Sequence, residues 1–199
     1  MVVQAKALTL VEFSMRTTWR WPRDHDEGDL IVSEMDEVIP ALVAAVQEQH
    51  ATGDHYRDDA IRQAMEHQAQ LALRPGPVRV DVIVDPPWSD GQINSVQVVT
   101  GDRPFLVDTV VSCLLRHGWR DEDVRHPIIG VKRDRGTIEA VGTPGRGGCA
   151  SESWIHIDVT APLGTDIGQA AEQLRDDLCA CLDQVVCATD DWGAMHEAM

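Results

Sequence analysis

The chain has 199 residues, with 33 acidic and 17 basic side chains and a formal net charge of −16. This length can bury a hydrophobic core without disulfide bonds, and five cysteines with no charged leader before an apolar run argue against a secreted disulfide scaffold and predict a cytoplasmic protein. No apolar stretch approaches the roughly 18 residues that a membrane span needs, so no membrane partner is expected.

The acidic residues are concentrated in two segments. Residues 21–70 hold 12 acidic and 3 basic side chains, residues 161–199 hold 8 and 1, and the remainder of the chain is balanced. Such a surface repels phosphate backbones, so nucleic acid is not an expected partner. The simplest interpretation is a solvated helical surface.

The N-terminal residues predict an arm followed by a first helix. Residues 2–29 show no sustained periodicity and predict an irregular arm. From Ser33, apolar residues recur at helical spacing up to Gly53, with Pro40 as a kink or as the start of the helix. The apolar positions are Met35, Val38, Ile39, Leu42, Val43 and Val46.

A second helix is predicted from about Asp54 to Leu73. Its spacing places Ile61, Met65, Gln68 and Leu71 along one side of the helix. Pro75-Gly76-Pro77 then breaks the chain. We therefore predict an N-terminal arm and helical hairpin in residues 1–74, and an α/β domain in residues 75–199.

The second region opens with two predicted strands. Val78–Val84 places a valine at every second position, and Ile93–Thr100 is a second strand-like run. Pro86–Gly91 between them has turn composition, so a hairpin is the simplest connection.

A helix follows after a tight turn. Pro104 suits a first helical turn, Asp102 is placed to cap free amides, and Gly118 is a typical helix terminator. Helical spacing connects Val107, Val110, Val111, Leu114 and Leu115.

The remaining elements are three strands and a long helix. Ile128–Val131 and Ile138–Val141 form a hairpin, and the glycine-rich loop Thr143–Ala150 lacks the lysine and hydroxyl of a phosphate-binding loop. The last strand is Ser153–Val159, and Asp166 caps the last helix with Gln169 three residues later. That helix has the apolar stripe Ile167, Ala170, Ala171, Leu174, Leu178, Leu182 and Val185.

The order of these elements predicts an α+β fold. The series β-α-β-β-α corresponds to an ACT or ferredoxin-like sandwich, an antiparallel sheet with two helices on one face, lacking its last strand. Residues 78–84 can occupy that vacant position beside residues 93–100. The N-terminal helical hairpin precedes this sandwich.

The sequence predicts no catalytic, metal or cofactor-binding residues. Cys179 and Cys181 point to different sides of a helix, and no Cys-x-x-Cys or His-Glu-x-x-His spacing occurs. His117 and His126 lie at element ends without a neighbouring nucleophile or carboxylate pair. A Gly-x-Gly-x-x-Gly turn between a strand and a helix, which NAD binding would require, is also missing.

Three motifs carry a family resemblance. DRPFLVDTV from Asp102, HPIIGVKRD from His126 and ESWIHIDV from Glu152 resemble the N-terminal ACT-like (ACT1) segment of the large class of NAD-specific glutamate dehydrogenases. The similarity extends from about Leu71 to Met199. It implies a regulatory or interaction segment, itself noncatalytic and without a cofactor, whose parent enzyme uses NAD to deaminate L-glutamate oxidatively to 2-oxoglutarate.

An independent amino-acid-sensing ACT module, acting in allostery or oligomerisation, is the alternative. The resemblance places a regulatory turn at Asp102, Arg103, Pro104 and Phe105. Where ligand-binding ACT domains have a glycine after the proline, this chain has Phe105, whose ring would crowd an amino-acid effector.

An ACT-like sheet leaves one face without helices. Here that face carries Trp154 and His156, residue types that are common at contact surfaces. We therefore predict an interface with a downstream domain of the parent enzyme or with another subunit. The competing hypothesis is that the hairpin of residues 33–73 folds back and covers this face within one chain.

Overall fold

The structure is a computed structural model, and it describes residues 30–31, 35–50, 58–89, 91 and 93–197. Its elements are β1 (Leu30–Ile31), α1 (Met35–His50), α2 (Asp58–Ala72), β2 (Val78–Ile83), β3 (Asn94–Gly101), α3 (Leu106–Arg116), β4 (Arg120–Arg125), β5 (Ile128–Asp134), β6 (Thr137–Gly142), β7 (Ala150–Thr160) and α4 (Ile167–Glu197). The predicted arm and the predicted helix limits Ser33, Gly53 and Asp54 lie outside the described residues. None of the described helices combines the length and apolar character that crossing a membrane needs.

The strands in the described ranges form one antiparallel sheet in the order β1-β6-β5-β7-β3-β2. β3 pairs with one edge of β7 over Asn94–Gly101. The other edge of β7 pairs with β5 along residues 150–153 and with β4 along residues 156–160. The register aligns Val80, Val98 and Ile155 across three neighbouring strands. Directly opposed residues point to the same side of a sheet, so this row defines one face.

The predicted fold class is confirmed by this topology. The series β3-α3-β5-β7-α4 forms the β-α-β-β-α core, and β2 pairs with β3 from Val78↔Thr100 to Ile83↔Ser95. β2 therefore occupies the place of the missing last strand, as predicted. The domain is an α+β sandwich of the ACT or ferredoxin-like type.

α3 and α4 cover the face that contains the Val80 row. Ile155, Ile157 and Val159 on β7 are fully buried against these helices, as their alternation predicts. The helices contribute Leu106, Val110, Cys113, Leu114, Ala171, Leu174, Leu178 and Leu182. Burying an aliphatic side chain contributes roughly 1.5 to 3 kcal/mol, so a shift of register by one residue would be very unfavourable.

α1 and α2 cover the opposite face, so the sheet is buried on both sides. α1 contacts β5 and β6, and α2 contacts β2 and β3. The buried apolar residues here are Val38, Leu42, Val43, Val46, Met65, Ala69, Leu71, Ala72, Val99, Ile129, Val131, Ile138, Val141 and Trp154. Both predicted hairpin helices exist, and α1 continues through Pro40.

The ends of the two sandwich helices follow their sequence signals in part. The Asp166 carboxylate accepts a hydrogen bond from the Gln169 amide at 3.2 Å, so Asp166 caps α4 as predicted. After α3, Gly118 has a φ of 74°, a left-handed conformation that glycine adopts without strain, and the Trp119 amide donates to Leu114 O.

β4 was not expected from the sequence. Its residues, RDEDVR, are mostly charged and lack the apolar alternation that indicates a strand. They pair with β7 from Arg120↔Thr160 to Arg125↔His156, with a bulge between Asp121 and Asp123. Residues 120–125 therefore form a strand because they pair with the buried strand β7, and not because of their own hydrophobicity.

Candidate functional site

The turn that enters α3 contains the four predicted regulatory residues, and Asp102 lies at its start. Asp102 does not cap α3: the helix begins at Leu106, its N-cap residue is Phe105, and no side chain caps it. The Asp102 carboxylate instead accepts a hydrogen bond from the Ser153 hydroxyl at 2.6 Å. Because that hydroxyl has one hydrogen, it accepts from His126 Nε2 at 3.0 Å. The cap prediction is wrong because a buried serine on β7 binds the carboxylate.

Arg103 binds α4, whereas Asp102 binds β7. One guanidinium nitrogen, Nη1, lies 3.2 Å from Val186 O, 3.0 Å from Thr189 Oγ1 and 3.0 Å from Asp190 Oδ1. The Nε donates to Gly101 O. The turn therefore joins β3, β7 and α4, and its two charged side chains are both used within the domain.

Phe105 follows Pro104 in a left-handed conformation, with a φ of 72° and 60% of its surface exposed. This is the position at which the resemblance places a glycine in ligand-binding ACT domains. This conformation is unfavourable by roughly 1 to 2 kcal/mol for a residue with a Cβ, because the Cβ lies too close to the following carbonyl oxygen. The backbone thus keeps a shape suited to glycine, although the side chain is a phenylalanine.

Replacing Phe105 by glycine is therefore expected to stabilise the domain by up to about 1 kcal/mol relative to Phe105→Ala. Both variants remove the exposed ring, but only glycine relieves the backbone strain. Chemical denaturation of the two variants measures the difference. If alanine were equally stable at this position, the left-handed turn would be incorrect.

Trp154 and His156, the predicted interface residues, are not exposed in this chain. Trp154 is 0% exposed and His156 is 5% exposed, and both lie on the face that α1 and α2 cover. The structure thus shows the competing arrangement, in which the hairpin closes the face. The reason is that α1 and α2 are themselves amphipathic and need an apolar surface to bury their stripes.

A directional hydrogen-bond chain connects α2 to β7 beneath this hairpin. Gln97 Nε2 donates to Ala64 O at 2.9 Å and lies 3.1 Å from His156 Nδ1, while its Oε1 is 2.8 Å from His67 Nδ1. His156 Nδ1 must therefore accept, which leaves the proton on Nε2, 3.0 Å from Asp158 Oδ1. This assignment makes His156 neutral.

The charge of Asp158 is balanced by Arg125 rather than by His156. Arg125 Nη2 donates to Asp158 Oδ2 at 2.7 Å, and Arg125 Nε donates to Asp123 Oδ2 at 2.9 Å. Burial lowers the pKa of His156, against the opposing effect of the Asp158 carboxylate. A protonated His156 would also place a second donor against the Gln97 amide, which Ala64 O holds in place.

The domain is expected to lose stability as the pH falls below about 6.5, the pKa of an unperturbed histidine. Between that pH and the lower pKa of folded His156, the unfolded chain binds more protons, so acid favours unfolding. His156 alone contributes at most about 1.4 kcal/mol per pH unit in this window. Burial also lowers the pKa of His126, which adds in the same direction.

Chemical denaturation at a series of pH values, covering about one to two units on either side of the histidine pKa, measures this effect. His156→Gln is the control. The wild-type domain should lose stability more steeply than the variant below the histidine pKa. Parallel curves would show that His156 does not titrate differently in the folded and unfolded states.

A small cavity lies beside this network, between the hairpin and the sheet. Its volume is about 10 Å³, and its polar lining comes from Gln68, Arg125 and His156. That volume holds about one water molecule. In this arrangement of the hairpin, it is too small for an amino acid.

The comparison with protein families identifies the domain. The family model described as Glutamate dehydrogenase, ACT1 domain, matches residues 41–178. The chain belongs to this family. The family resemblance of the three sequence motifs is thereby confirmed, and the matched range begins within α1, so it includes most of the hairpin.

This ACT1 domain also contains a charged clamp that sequence reasoning missed. Arg133 binds Glu152 with two hydrogen bonds, at 2.6 and 3.0 Å, and its Nη2 donates to Ala72 O, the last residue of α2. Arg79 donates to Arg74 O just beyond that helix. Arg79 and Glu152 are both buried, so the clamp fastens the C-terminal end of α2 to the sheet.

The clamp could not be found from periodicity. Arg79 lies on the polar side of the β2 alternation, which the sequence assigns to solvent, and α2 covers that side. Burial lowers the pKa of Arg79, the neighbouring Arg133 lowers it further, and Glu152 opposes both effects. In the described part of this ACT1 domain, no group of three His, Cys, Asp or Glu side chains is placed to hold a metal ion.

Proposed function

We propose that this ACT1 domain is a noncatalytic regulatory and interaction module of a large NAD-dependent glutamate dehydrogenase that converts L-glutamate to 2-oxoglutarate. The family match over residues 41–178 carries the proposal. NAD and hydride transfer belong, in this proposal, to a catalytic domain outside this segment. The strand-to-helix turn here runs Asp102–Phe105 without a glycine, whereas dinucleotide-binding turns use glycines to approach the pyrophosphate.

The proposed partners are downstream domains of the same enzyme or other subunits. With both faces of the sheet buried, such contacts would use the outer surfaces of the helices. Phe105 before α3 and Leu115 in its last turn are each 60% exposed, so both side chains are accessible to such a neighbour. Regulation would then act through the position of this domain on its neighbour.

An amino-acid effector at the turn is the weaker form of the proposal. Asp102 and Arg103 are both bonded within the domain, and Phe105 occupies the glycine position. An effector would have to displace these contacts or bind beside them. What supports a structural role for the turn is that its charged side chains join β7 and α4.

Purified residues 1–199 are expected to form no NADH from L-glutamate and NAD, because the sequence has no glycine-rich dinucleotide turn between a strand and a helix. Absorbance of NADH measures this, with a mock purification as the control for host enzymes.

The same domain, mixed with a separately expressed catalytic part of the enzyme, should co-elute with it in size-exclusion chromatography and change its kcat or KM.

Two results would contradict the proposal. Turnover by residues 1–199 above the mock control would show that the domain is catalytic. A catalytic part that neither binds the domain nor changes its kinetics would exclude the regulatory role. Calorimetry with the common amino acids, done on wild type and Phe105→Gly, tests the effector: heat with either protein would favour the sensing form.

A further inference from the structure

Two cysteines on the neighbouring helices α3 and α4 contact one arginine. Arg116 Nη2, in the last turn of α3, lies 3.5 Å from Cys113 Sγ and 3.1 Å from Cys181 Sγ on α4. Next to them, His117 Nε2 lies 2.8 Å from Asp177 Oδ2, which holds the two helices together at this point. The pair is not part of the turn or of the hairpin contacts described above.

We propose that Cys113 and Cys181 form a peroxide-sensitive thiol pair, which is oxidised to a disulfide that links α3 to α4. Both sulfurs contact the same guanidinium nitrogen, at 3.5 and 3.1 Å, so the two sulfurs are at most 6.6 Å apart. A donor that both sulfurs share holds the two side chains on one site between the helices. This proposal does not depend on the proposed function.

The two cysteines have different exposures, which assigns their roles. Cys113 is 1% exposed, whereas Cys181 is partly exposed and can meet a small hydroperoxide. Burial raises the pKa of Cys113, and the hydrogen bond from Arg116 opposes that effect. Cys181 is therefore the residue that reacts with peroxide, and Cys113 is the residue that resolves the product.

The chemistry balances with one hydrogen peroxide. The Cys181 sulfur attacks one peroxide oxygen, the O–O bond breaks, and the thiol proton leaves with the second oxygen as water, so Cys181 becomes a sulfenic acid. The Cys113 sulfur then attacks the Cys181 sulfur, the S–O bond breaks, and the hydroxide leaves as water with the Cys113 proton. The two thiols together lose two electrons and two protons, and the peroxide takes them up to become two water molecules.

Another cysteine on α4 provides a comparison. Burial raises the pKa of Cys179, and the carboxylates of Asp183 and Asp176 raise it further. A negative environment disfavours the thiolate, so Cys179 should react more slowly than Cys181. Selective oxidation of one position on the same helix is thus a specific expectation of the proposal.

The test treats the full chain with hydrogen peroxide and maps its peptides by mass spectrometry. The expected product has lost two hydrogens and links the peptides of Cys113 and Cys181. Because the bond closes a long loop between two packed helices, the melting temperature should rise by roughly 5 to 15 °C, and a reductant should reverse the rise.

Variants separate the roles of the three residues. Cys181→Ser should abolish the linked peptide, whereas Cys187→Ser, which changes an exposed cysteine of the same helix, should leave it intact. Arg116→Gln should slow disulfide formation by roughly tenfold, since it removes a charge-assisted hydrogen bond to each sulfur. Arg116→Lys should restore part of the rate.

Peptide mapping of the wild-type chain keeps the test independent of how the variants fold. Sulfinic or sulfonic acids without the Cys113–Cys181 link would overturn the proposal. So would a disulfide between other cysteines, or an oxidation rate that Arg116→Gln does not change.

Discussion

Replacing Trp154 by alanine is expected to lower the free energy of unfolding by about 3 to 5 kcal/mol. The side chain is 0% exposed and packs between β7 and the helices of the N-terminal hairpin. Truncation leaves a cavity under the hairpin that the sheet cannot close, because the register of the sheet is held by pairing on both sides of β7. Urea denaturation of the single chain measures the loss.

Trp154→Phe is the matched control. Trp154 Nε1 is buried and has no hydrogen-bond partner within the described residues. Phenylalanine keeps most of the apolar volume and removes this buried donor, so its cost should stay below about 1.5 kcal/mol.

The same variants distinguish hairpin closure from docking of a partner on this face. A destabilised monomer supports closure by α1 and α2. If Trp154→Ala kept its stability but lost association with another subunit, the face would be an interface, and the position of the hairpin would be incorrect.

The fold was accessible from the sequence because its strands and helices carry clear periodicities. The valine alternation of residues 78–84 and the isoleucine alternation on β7 correctly identify the face under α3 and α4. The opposite face was harder to assign, because Trp154, His156 and Gln97 alternate with those residues and suggest solvent. Only the position of the hairpin shows that this polar side is buried.

The candidate site was predicted less well, because it depends on long-range contacts. Asp102 was expected to cap its own helix, but Ser153, about fifty residues later, binds it. The clamp joins Arg133 and Glu152 on two strands to the end of α2, and nothing in the spacing of these residues reveals that they meet. The periodicity of a sequence identifies the buried face of a helix or strand. Contacts between side chains that are distant in sequence can be identified only from the tertiary structure.

Replacing Glu152 by glutamine is expected to destabilise the domain by about 3 to 5 kcal/mol, because it removes the negative charge beside the buried Arg79 and the partly buried Arg133. The two arginines also bind carbonyl oxygens at the C-terminal end of α2, where positive charge is favourable. We therefore expect the loss to begin in the hairpin.

Hydrogen exchange measures where the loss begins. In Glu152→Gln, amides of α2 should exchange faster than those of β3, since α2 loses its attachment while the central strands keep theirs. Glu139→Gln is the control: Glu139 forms an exposed ion pair with Lys132 at 3.3 Å, and its loss should cost less than about 1 kcal/mol. Equal stabilities for the two variants, or uniform exchange across the domain, would show that the clamp does not hold the hairpin on the sheet.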